Sequence, residues 1–268
     1  MSTLTASPAP VATRTERAER VTFPRVVVSE WIKLTTLRST WWSLGVAALL
    51  SVGISTMIAA ASSEFGAGFP AVSAILMPTQ FTMLVAGILG AIAVTGEYST
   101  GMIRSTLAAE PRRGAVLAAK AVVVALLMGA TTIVSYALAI LATAPLLAEP
   151  IDWSDPAYSV IPLGFGVVSM IAFALIGVGW GFLIRNGAGA IAATVGLLFV
   201  APIVTSLFTI AGDAWKWIVD LGDYLPMNAA ATISAPGATD ALPALLALTG
   251  WVVALLLGGW AVLRTRDA

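Results

Sequence analysis

Six long apolar runs divide this sequence, and they constrain its fold more than any other feature. A helix needs roughly 20 apolar residues to cross a hydrocarbon core of ~30 Å, and each run reaches that length. The runs carry no charged residue except Lys120, which we place near the start of the third and expect to reach the lipid headgroups. Because runs this long do not alternate, we expect helices rather than a barrel. The predicted spans are 41–61, 70–95, 115–142, 159–184, 187–211 and 241–263.

The charged residues between the runs are sorted by side. If the runs cross a bilayer alternately, all 14 Lys and Arg residues except Lys216 fall on the side of the N terminus. Most acidic residues outside the runs, among them Asp152 and Asp213, fall on the opposite side. This positive-inside pattern predicts a multi-pass protein of a bacterial cell membrane with both termini in the cytoplasm. A re-entrant hairpin at the short connection 185–187 would also fit.

Composition excludes several kinds of function. At 59% apolar and 10% charged residues, the chain is too apolar for a soluble domain. It contains no His and no Cys, so thiolate metal sites, disulfides and the usual proton shuttle are excluded. The G-x-x-x-x-G-K-[ST] nucleotide loop is also missing, and no acid lies near the middle of a span, which argues against coupling to an ion gradient. We therefore expect no enzyme, no resident cofactor and no nucleic-acid partner.

The segment before the first span predicts a separate helix. Residues 1–25 have the composition of a disordered cytoplasmic tail, and 26–268 form the six-span domain. Over 26–42, a 100° step places Val27, Trp31, Leu34, Leu37 and Trp41 on one apolar stripe, typical of a helix at the membrane interface. Glu30 lies close to that stripe, and we expect it to pair with Lys33 or with another segment. The helix could be an anchor or could relay motion.

The second cytoplasmic segment, 96–114, has the residues of a docking element. We expect a short helix capped by Ser99 or Thr100 and closed at Glu110-Pro111. Gly101 would allow close approach of another surface. An apolar knob and surrounding charge are supplied by Met102, Ile103, Leu107, Arg104, Arg112 and Arg113. An ordinary basic loop that follows the positive-inside rule would have the same composition.

Other features have a structural and a functional interpretation. Pro78 and Pro202 fall inside spans two and five, where each removes a backbone hydrogen bond and should kink its helix. Glycines such as Gly177, Gly179 and Gly181 predict close helix packing, although they could also line a substrate path. The aromatic and acidic segment 213–226 predicts an anchor in the outer headgroup layer, and a gating role stays open.

Two motifs resemble those of the permease subunits of type-2 ATP-binding cassette (ABC) exporters. One is SEWIKLTTLRS at 29–39, and the other is GEYSTGMIR at 96–104, followed by Pro111 and Arg112. The first resembles the family's interfacial elbow helix, with Glu30, Trp31, Lys33 and Leu34. The second resembles the coupling helix that contacts the ATPase, with positions Glu97, Tyr98, Gly101, Met102, Ile103, Arg104, Pro111 and Arg112. Met102 stands where the family often has Thr.

The resemblance implies an all-α integral membrane permease that moves a substrate outward with energy from a separate ATPase subunit. ATP and Mg would be bound by that subunit. Two permease copies, identical or closely related, would form the complex in contact with membrane lipid. A non-transporting sensor or scaffold is the alternative interpretation, and a membrane enzyme is a third. Substrate identity does not follow from the sequence.

Overall fold

The computed structural model describes residues 22–64, 70–147, 149–239 and 241–266, and these are helical without any strand. Nearly all of the predicted tail lies outside the described residues. The helices are α1 (Phe23–Thr36), α2 (Arg38–Glu64), α3 (Ala71–Leu76), α4 (Thr79–Ser99), α5 (Met102–Ala109), α6 (Arg113–Thr143), α7 (Val160–Ile184), α8 (Gly187–Val195), α9 (Ala201–Leu207), α10 (Lys216–Gly222), α11 (Pro226–Ile233) and α12 (Ala241–Thr265).

Within the described part of the chain, six helical stretches are long and apolar enough to cross a membrane, as predicted. Each differs from its predicted span by only a few residues at either end. Their bounds are Arg38–Ser62, Ala71–Ser99, Arg113–Thr143, Val160–Ile184, Gly187–Ile210 and Ala241–Thr265. The chain is therefore all-helical and compatible with a multi-pass membrane protein.

The regular α-helix is broken at both prolines that were predicted to kink their spans. In the second span, α3 ends at Leu76 and α4 begins at Thr79, because Pro78 has no N–H to continue the helical ladder. In the fifth span, a π-helical turn at Gly196–Val200 separates α8 from α9, directly before Pro202. Such wide turns are a recognised cause of helix kinks.

Close packing of α4 against α7 forms the centre of the bundle. Gly87 and Gly90 of α4 face Gly177 and Ala174 of α7. A methyl group added at Gly90 would lie 2.0 Å from the carbonyl oxygen of Ala174, and one at Gly177 would lie 1.9 Å from that of Gly87. The two backbones thus touch, as expected for small-residue helix interfaces. The predicted packing role of Gly177 is confirmed.

The helix bundle has two chemically different ends. With the exception of Lys216, the described Lys and Arg residues lie at or near one end, which we call the basic end. It contains α1, α5 and the turn at Arg185, whose left-handed backbone (φ 58°) connects α7 to α8. Asp152, Asp155 and Asp213 lie at the opposite, acidic end. The sorting of charge seen in the sequence is thus retained in three dimensions.

The first helix differs from its prediction in extent and in its buried face. It ends at Thr36, and Trp41 belongs to α2, where its indole N–H donates to the carbonyl of Thr35 over 2.8 Å. The predicted separate helix before the first span is present, but its predicted extent over 26–42 is wrong. Its buried residues are Val26, Glu30 and Leu34, whereas Trp31 is 44% exposed.

Candidate functional site

The buried face of α1 brings two charged side chains into the protein. Val26, Glu30 and Leu34 follow one another at intervals of four residues, so they share one face of the helix, and α1 packs against α6. Lys33 lies beside this face. The side chains of Glu30 and Lys33 therefore point toward α4 and α6 rather than away from the bundle.

Four charged side chains from three helices meet there, and we call them the ionic cluster: Glu30 and Lys33 of α1, Glu97 of α4 and Lys120 of α6. The Nζ atom of Lys120 lies 2.5 Å from Oε2 of Glu30 and 2.6 Å from Oε1 of Glu97. The Nζ atom of Lys33 lies 2.7 Å from Oε1 of Glu30 and 3.1 Å from Oε1 of Glu97. Each carboxylate thus contacts both ammonium groups.

The ionic cluster is buried and neutral. Glu30 and Lys120 are each 1% exposed, and Glu97 is 4% exposed, while Lys33 is half-buried. Two carboxylates and two ammonium groups cancel in formal charge, so no net charge is removed from water. Removing one partner of such a buried pair leaves an uncompensated charge, which is strongly destabilising. The cluster therefore fixes α1, α4 and α6 in one relative arrangement at the basic end.

Lys33 stays protonated at neutral pH. Burial lowers its pKa, but the hydrogen bond and the negative charge of Glu30, together with Glu97, outweigh that effect. The pKa of Lys33 therefore lies above its ordinary value of 10.5. The stabilisation that it contributes is present throughout the neutral range and is lost only as the pH rises above that value.

Helix α5 is attached to the ionic cluster through Thr106. The Nζ atom of Lys33 donates to the Thr106 hydroxyl over 3.0 Å, and that hydroxyl donates to Oε2 of Glu97 over 3.4 Å. On the same side of α5, Ile103 is 2% exposed and packs into the protein. Met102 is 39% exposed, and Arg104 is also exposed on the other side. The predicted knob is therefore divided, because Ile103 and half-buried Leu107 face inward.

The start of α5 is built differently from the prediction. Gly101 precedes the helix in a left-handed conformation (φ 73°), which favours glycine, and no side chain caps the helix. The hydroxyls of Ser99 and Thr100 donate back to the carbonyl of Gly96 instead. The predicted capping role of Ser99 or Thr100 is therefore wrong.

A second ion pair closes the turn between α5 and α6. Two guanidinium nitrogens of Arg112 each donate to a carboxylate oxygen of Glu110 over 2.8 Å, and the Arg112 backbone N–H donates over 3.0 Å. The hydrogen bond from the Arg112 side chain is the main reason that the pKa of Glu110 falls to about 2 from 4.5. Pro111 between them is exposed, so the predicted Glu110-Pro111 turn is present at the surface.

Tyr98 connects the end of α4 to the turn after α7. The Arg185 guanidinium lies 5.4 Å from the centre of the Tyr98 ring, and it also donates to the carbonyl of Val262 over 2.8 Å. Tyr98 is half-buried. It is thus placed inside the basic end rather than on its outer surface.

The structure separates the sequence-predicted site residues into two groups. The inward-facing group consists of buried Glu30, Leu34, Glu97 and Ile103 and of half-buried Lys33 and Tyr98. Those with exposed side chains or backbone are Trp31, Gly101, Met102, Arg104, Pro111 and Arg112.

Lys120 lies in a different environment from the one predicted for it. The expectation that it reaches the headgroups is wrong, since its ammonium group is buried between Glu30 and Glu97. Glu30 pairs with both of the partners expected as alternatives, which are Lys33 on its own helix and a group on another segment. A signal for the pair was available, because Lys120 is the lone charge within an apolar run and Glu30 borders an apolar stripe.

The acidic end contains a second candidate site, a cavity of about 240 Å³ at the Pro78 interruption. Its walls carry three methionines, Met77, Met83 and Met227, with Phe173 of α7 behind them. Hydroxyl and amide groups are supplied by Ser73, Thr79, Gln80 and Ser234, and no charged residue lines the cavity. It suits an uncharged, largely apolar group.

The aspartates of the acidic loops stabilise local turns and do not form a binding site. Asp152 accepts from the backbone N–H of Ser154 over 2.9 Å, and Asp155 accepts from that of Ala157 over 2.9 Å. Among the described residues, no group of three potential ligands could hold a metal ion. In 213–226, Trp215 and Trp217 are 44% and 58% exposed.

Comparison with known protein families and with curated proteins finds no match.

Proposed function

We propose that this chain is the permease subunit of an ATP-driven exporter and receives its energy from a separate ATPase subunit through α5. In this proposal α5 is the coupling helix, α1 is the interfacial elbow helix, and the basic end faces the cytoplasm with both termini. A second copy of the chain or a close paralogue completes the complex. Membrane lipid surrounds it.

The observation that carries the proposal is the two-sided construction of α5. One side presents Met102 and Arg104 to the surrounding solution. On the other side Ile103 is buried, and Thr106 is hydrogen-bonded to the ionic cluster, which in turn holds α1 and α6. A force applied to the exposed side of α5 would therefore be passed to two other helices at once. An ordinary connecting loop requires no such attachment.

The charge distribution within the spans supports an external source of energy. The ionic cluster lies near the basic end, and the middle turns of all six candidate spans are free of charged residues. Proton- or ion-coupled transporters usually place ionisable groups there. The sequence also contains no G-x-x-x-x-G-K-[ST] loop with which to bind ATP. Uphill movement of a substrate would then require a partner that hydrolyses ATP.

The chain is naturally free of cysteine, which permits a direct test. Met102→Cys, carrying a short photo-activated cross-linker, would be expressed in the host organism, and Ser154→Cys at the acidic end would serve as control. We expect Met102→Cys to be joined to a protein that contains the nucleotide loop and hydrolyses ATP, and Ser154→Cys not to be joined to it. Cross-linking of both variants to that protein, or of neither, would contradict the proposal. Transport by the isolated chain in liposomes without ATP would also contradict it.

A further inference from the structure

An arginine-lined pocket of about 540 Å³ lies at the basic end, where α6 begins and α12 ends. Arg112 and Arg113 border it from the start of α6, and Arg264 and Trp260 border it from the last turns of α12. The pocket is separate from the ionic cluster and from the exposed side of α5. Two of its residues, Pro111 and Arg112, are also positions that the family resemblance assigns to the ATPase contact, whereas Arg113, Trp260 and Arg264 have no role in that contact.

The arginines of the pocket are held in place by the protein. An Nη atom of Arg113 donates to the carbonyl of Leu263 over 2.5 Å, so it caps the end of α12, and Arg185 does the same at Val262 over 2.8 Å. The Arg264 guanidinium stacks over the Trp260 ring, 4.4 Å from its centre. Stacking occupies the flat face of a guanidinium, while its N–H donors lie along the edge and can still bind an anion. Side chains ordered in this way lose little further freedom when a ligand binds.

Positive charge is in excess at the pocket. Glu110 is the nearest described acid and is already bonded to Arg112. In sequence, Asp267 follows Arg266, although it lies outside the described residues. Even with both acids counted, Arg112, Arg113 and Arg185 together with Arg264 and Arg266 outnumber them. Arg112 and Arg264 are exposed, so an anion can approach from outside.

We propose that this pocket binds the phosphate of an anionic phospholipid headgroup. Arginine forks match phosphate oxygens in geometry, and basic pockets between membrane helices at the cytoplasmic surface bind such headgroups. A lipid, rather than free phosphate, is indicated because the pocket lies at the ends of two candidate spans and has an indole on its wall. Trp side chains prefer the headgroup depth of a membrane, where the acyl chains of the same lipid could lie along α6 and α12.

The bound headgroup would join elements that are distant in sequence. It would contact the turn between α5 and α6, held by Arg112, and the end of α12, held by Arg113 and carrying Arg264. We therefore expect the lipid to stabilise the basic end as a unit. This inference does not depend on the exporter proposal, since it needs only a membrane at the basic end.

The test compares two lipids that differ only in headgroup charge. The full chain, delipidated in neutral detergent, would be titrated with dioleoyl-phosphatidylglycerol or dioleoyl-phosphatidylcholine. Bound lipid would be counted by native mass spectrometry, and the unfolding temperature would be measured in parallel. We expect the anionic lipid alone to remain bound and to raise the unfolding temperature. For Arg264→Gln, the loss of one charged hydrogen bond predicts an apparent affinity roughly tenfold weaker.

Arg38→Gln is the matched control, since Arg38 is an exposed arginine at the same end but outside the pocket. Its affinity should equal that of the wild type. Equal binding of both lipids would overturn the proposal. Equal losses of lipid affinity in Arg264→Gln and Arg38→Gln would also overturn it, because they would indicate a diffuse electrostatic attraction rather than a defined pocket. Equal protection by millimolar inorganic phosphate would assign the pocket to free phosphate and would also overturn it. None of these measurements involves ATP or transport, so the exporter proposal is tested separately.

Discussion

Lys120→Met is the most informative single perturbation of this protein. Methionine keeps most of the length and the apolar stem of lysine but removes the ammonium group that Glu30 and Glu97 contact at 2.5 and 2.6 Å. Two buried carboxylates would then share only Lys33, at 2.7 and 3.1 Å, and the cluster would carry one net negative charge.

The magnitude follows from the burial of the three groups. Breaking a buried ion pair by removing one partner costs roughly 3–5 kcal/mol. Because Lys120 contacts two acids that are at most 4% exposed, we expect a loss of about 4 kcal/mol in the free energy of unfolding. Glu97→Gln added to Lys120→Met restores electrical neutrality. The double variant should therefore be more stable than Lys120→Met by at least about 1 kcal/mol.

The assay is reversible unfolding in mixed micelles, followed by tryptophan fluorescence. Lys216→Met makes the same chemical change at an exposed position of the acidic end and should alter the free energy of unfolding by less than about 0.5 kcal/mol. If Lys120→Met were as harmless as Lys216→Met, the reasoning about the ionic cluster would be refuted. A double variant no more stable than Lys120→Met would refute the role assigned to charge balance.

Three further predictions concern other parts of the chain. Gly90→Ala should lower the free energy of unfolding by roughly 1–3 kcal/mol, because its methyl group would meet the Ala174 carbonyl. Gly53→Ala is the control, since its methyl group would have no atom within 4 Å, and it should leave the stability unchanged in the same unfolding assay. The ¹³C carboxyl resonance of Glu110 should titrate with a pKa of about 2, and in Arg112→Gln that pKa should return toward 4.5. The stabilising contribution of Glu110 is therefore lost only as the pH falls from 4.5 to about 2. An unchanged titration of Glu110 in Arg112→Gln would contradict this prediction. A membrane-impermeant maleimide should label Ser154→Cys on intact cells but Ser105→Cys only after permeabilisation, and the reverse pattern would invert the proposed orientation.

Local properties of the sequence were sufficient to predict the six long helices. Length and apolar composition decide whether a helix can cross a membrane, and both are read from one run at a time. The interruptions at Pro78 and Pro202 are equally local, since a missing N–H acts on the preceding turn of the same helix. The distribution of charge between the two ends could be predicted from the order of the apolar runs and the loops alone.

The ionic cluster could not be predicted in the same way, because it depends on how α1 folds back onto α6. Glu30 and Lys120 are 90 residues apart in sequence. The apolar stripe through Trp31 and Trp41 predicted a helix at the membrane interface, and its contacts with the rest of the protein were not predicted from that stripe. The structure buries the face with Glu30, since the contact with Lys120 satisfies two charges that neither segment could satisfy alone.

One helix at the acidic end also could not be predicted from the sequence. Helix α11 (Pro226–Ile233) packs against α7 and α12 and closes one side of the 240 Å³ cavity, yet its short alanine-rich sequence gave no signal. Its buried residues Ala229, Ala230 and Ile233 are ordinary apolar residues whose partners lie on other helices. Tertiary packing, rather than local propensity, determines this helix.

The central claim is that a separate ATPase acts on the chain through the exposed side of α5. Its most direct test is the vanadate-sensitive ATP hydrolysis that co-purifies with the tagged chain from its host membranes. We predict that the wild type and Arg38→Glu retain this activity, while Arg104→Glu loses most of it without a change in unfolding temperature. Full ATP hydrolysis with Arg104→Glu, or none with the wild type, would contradict the account.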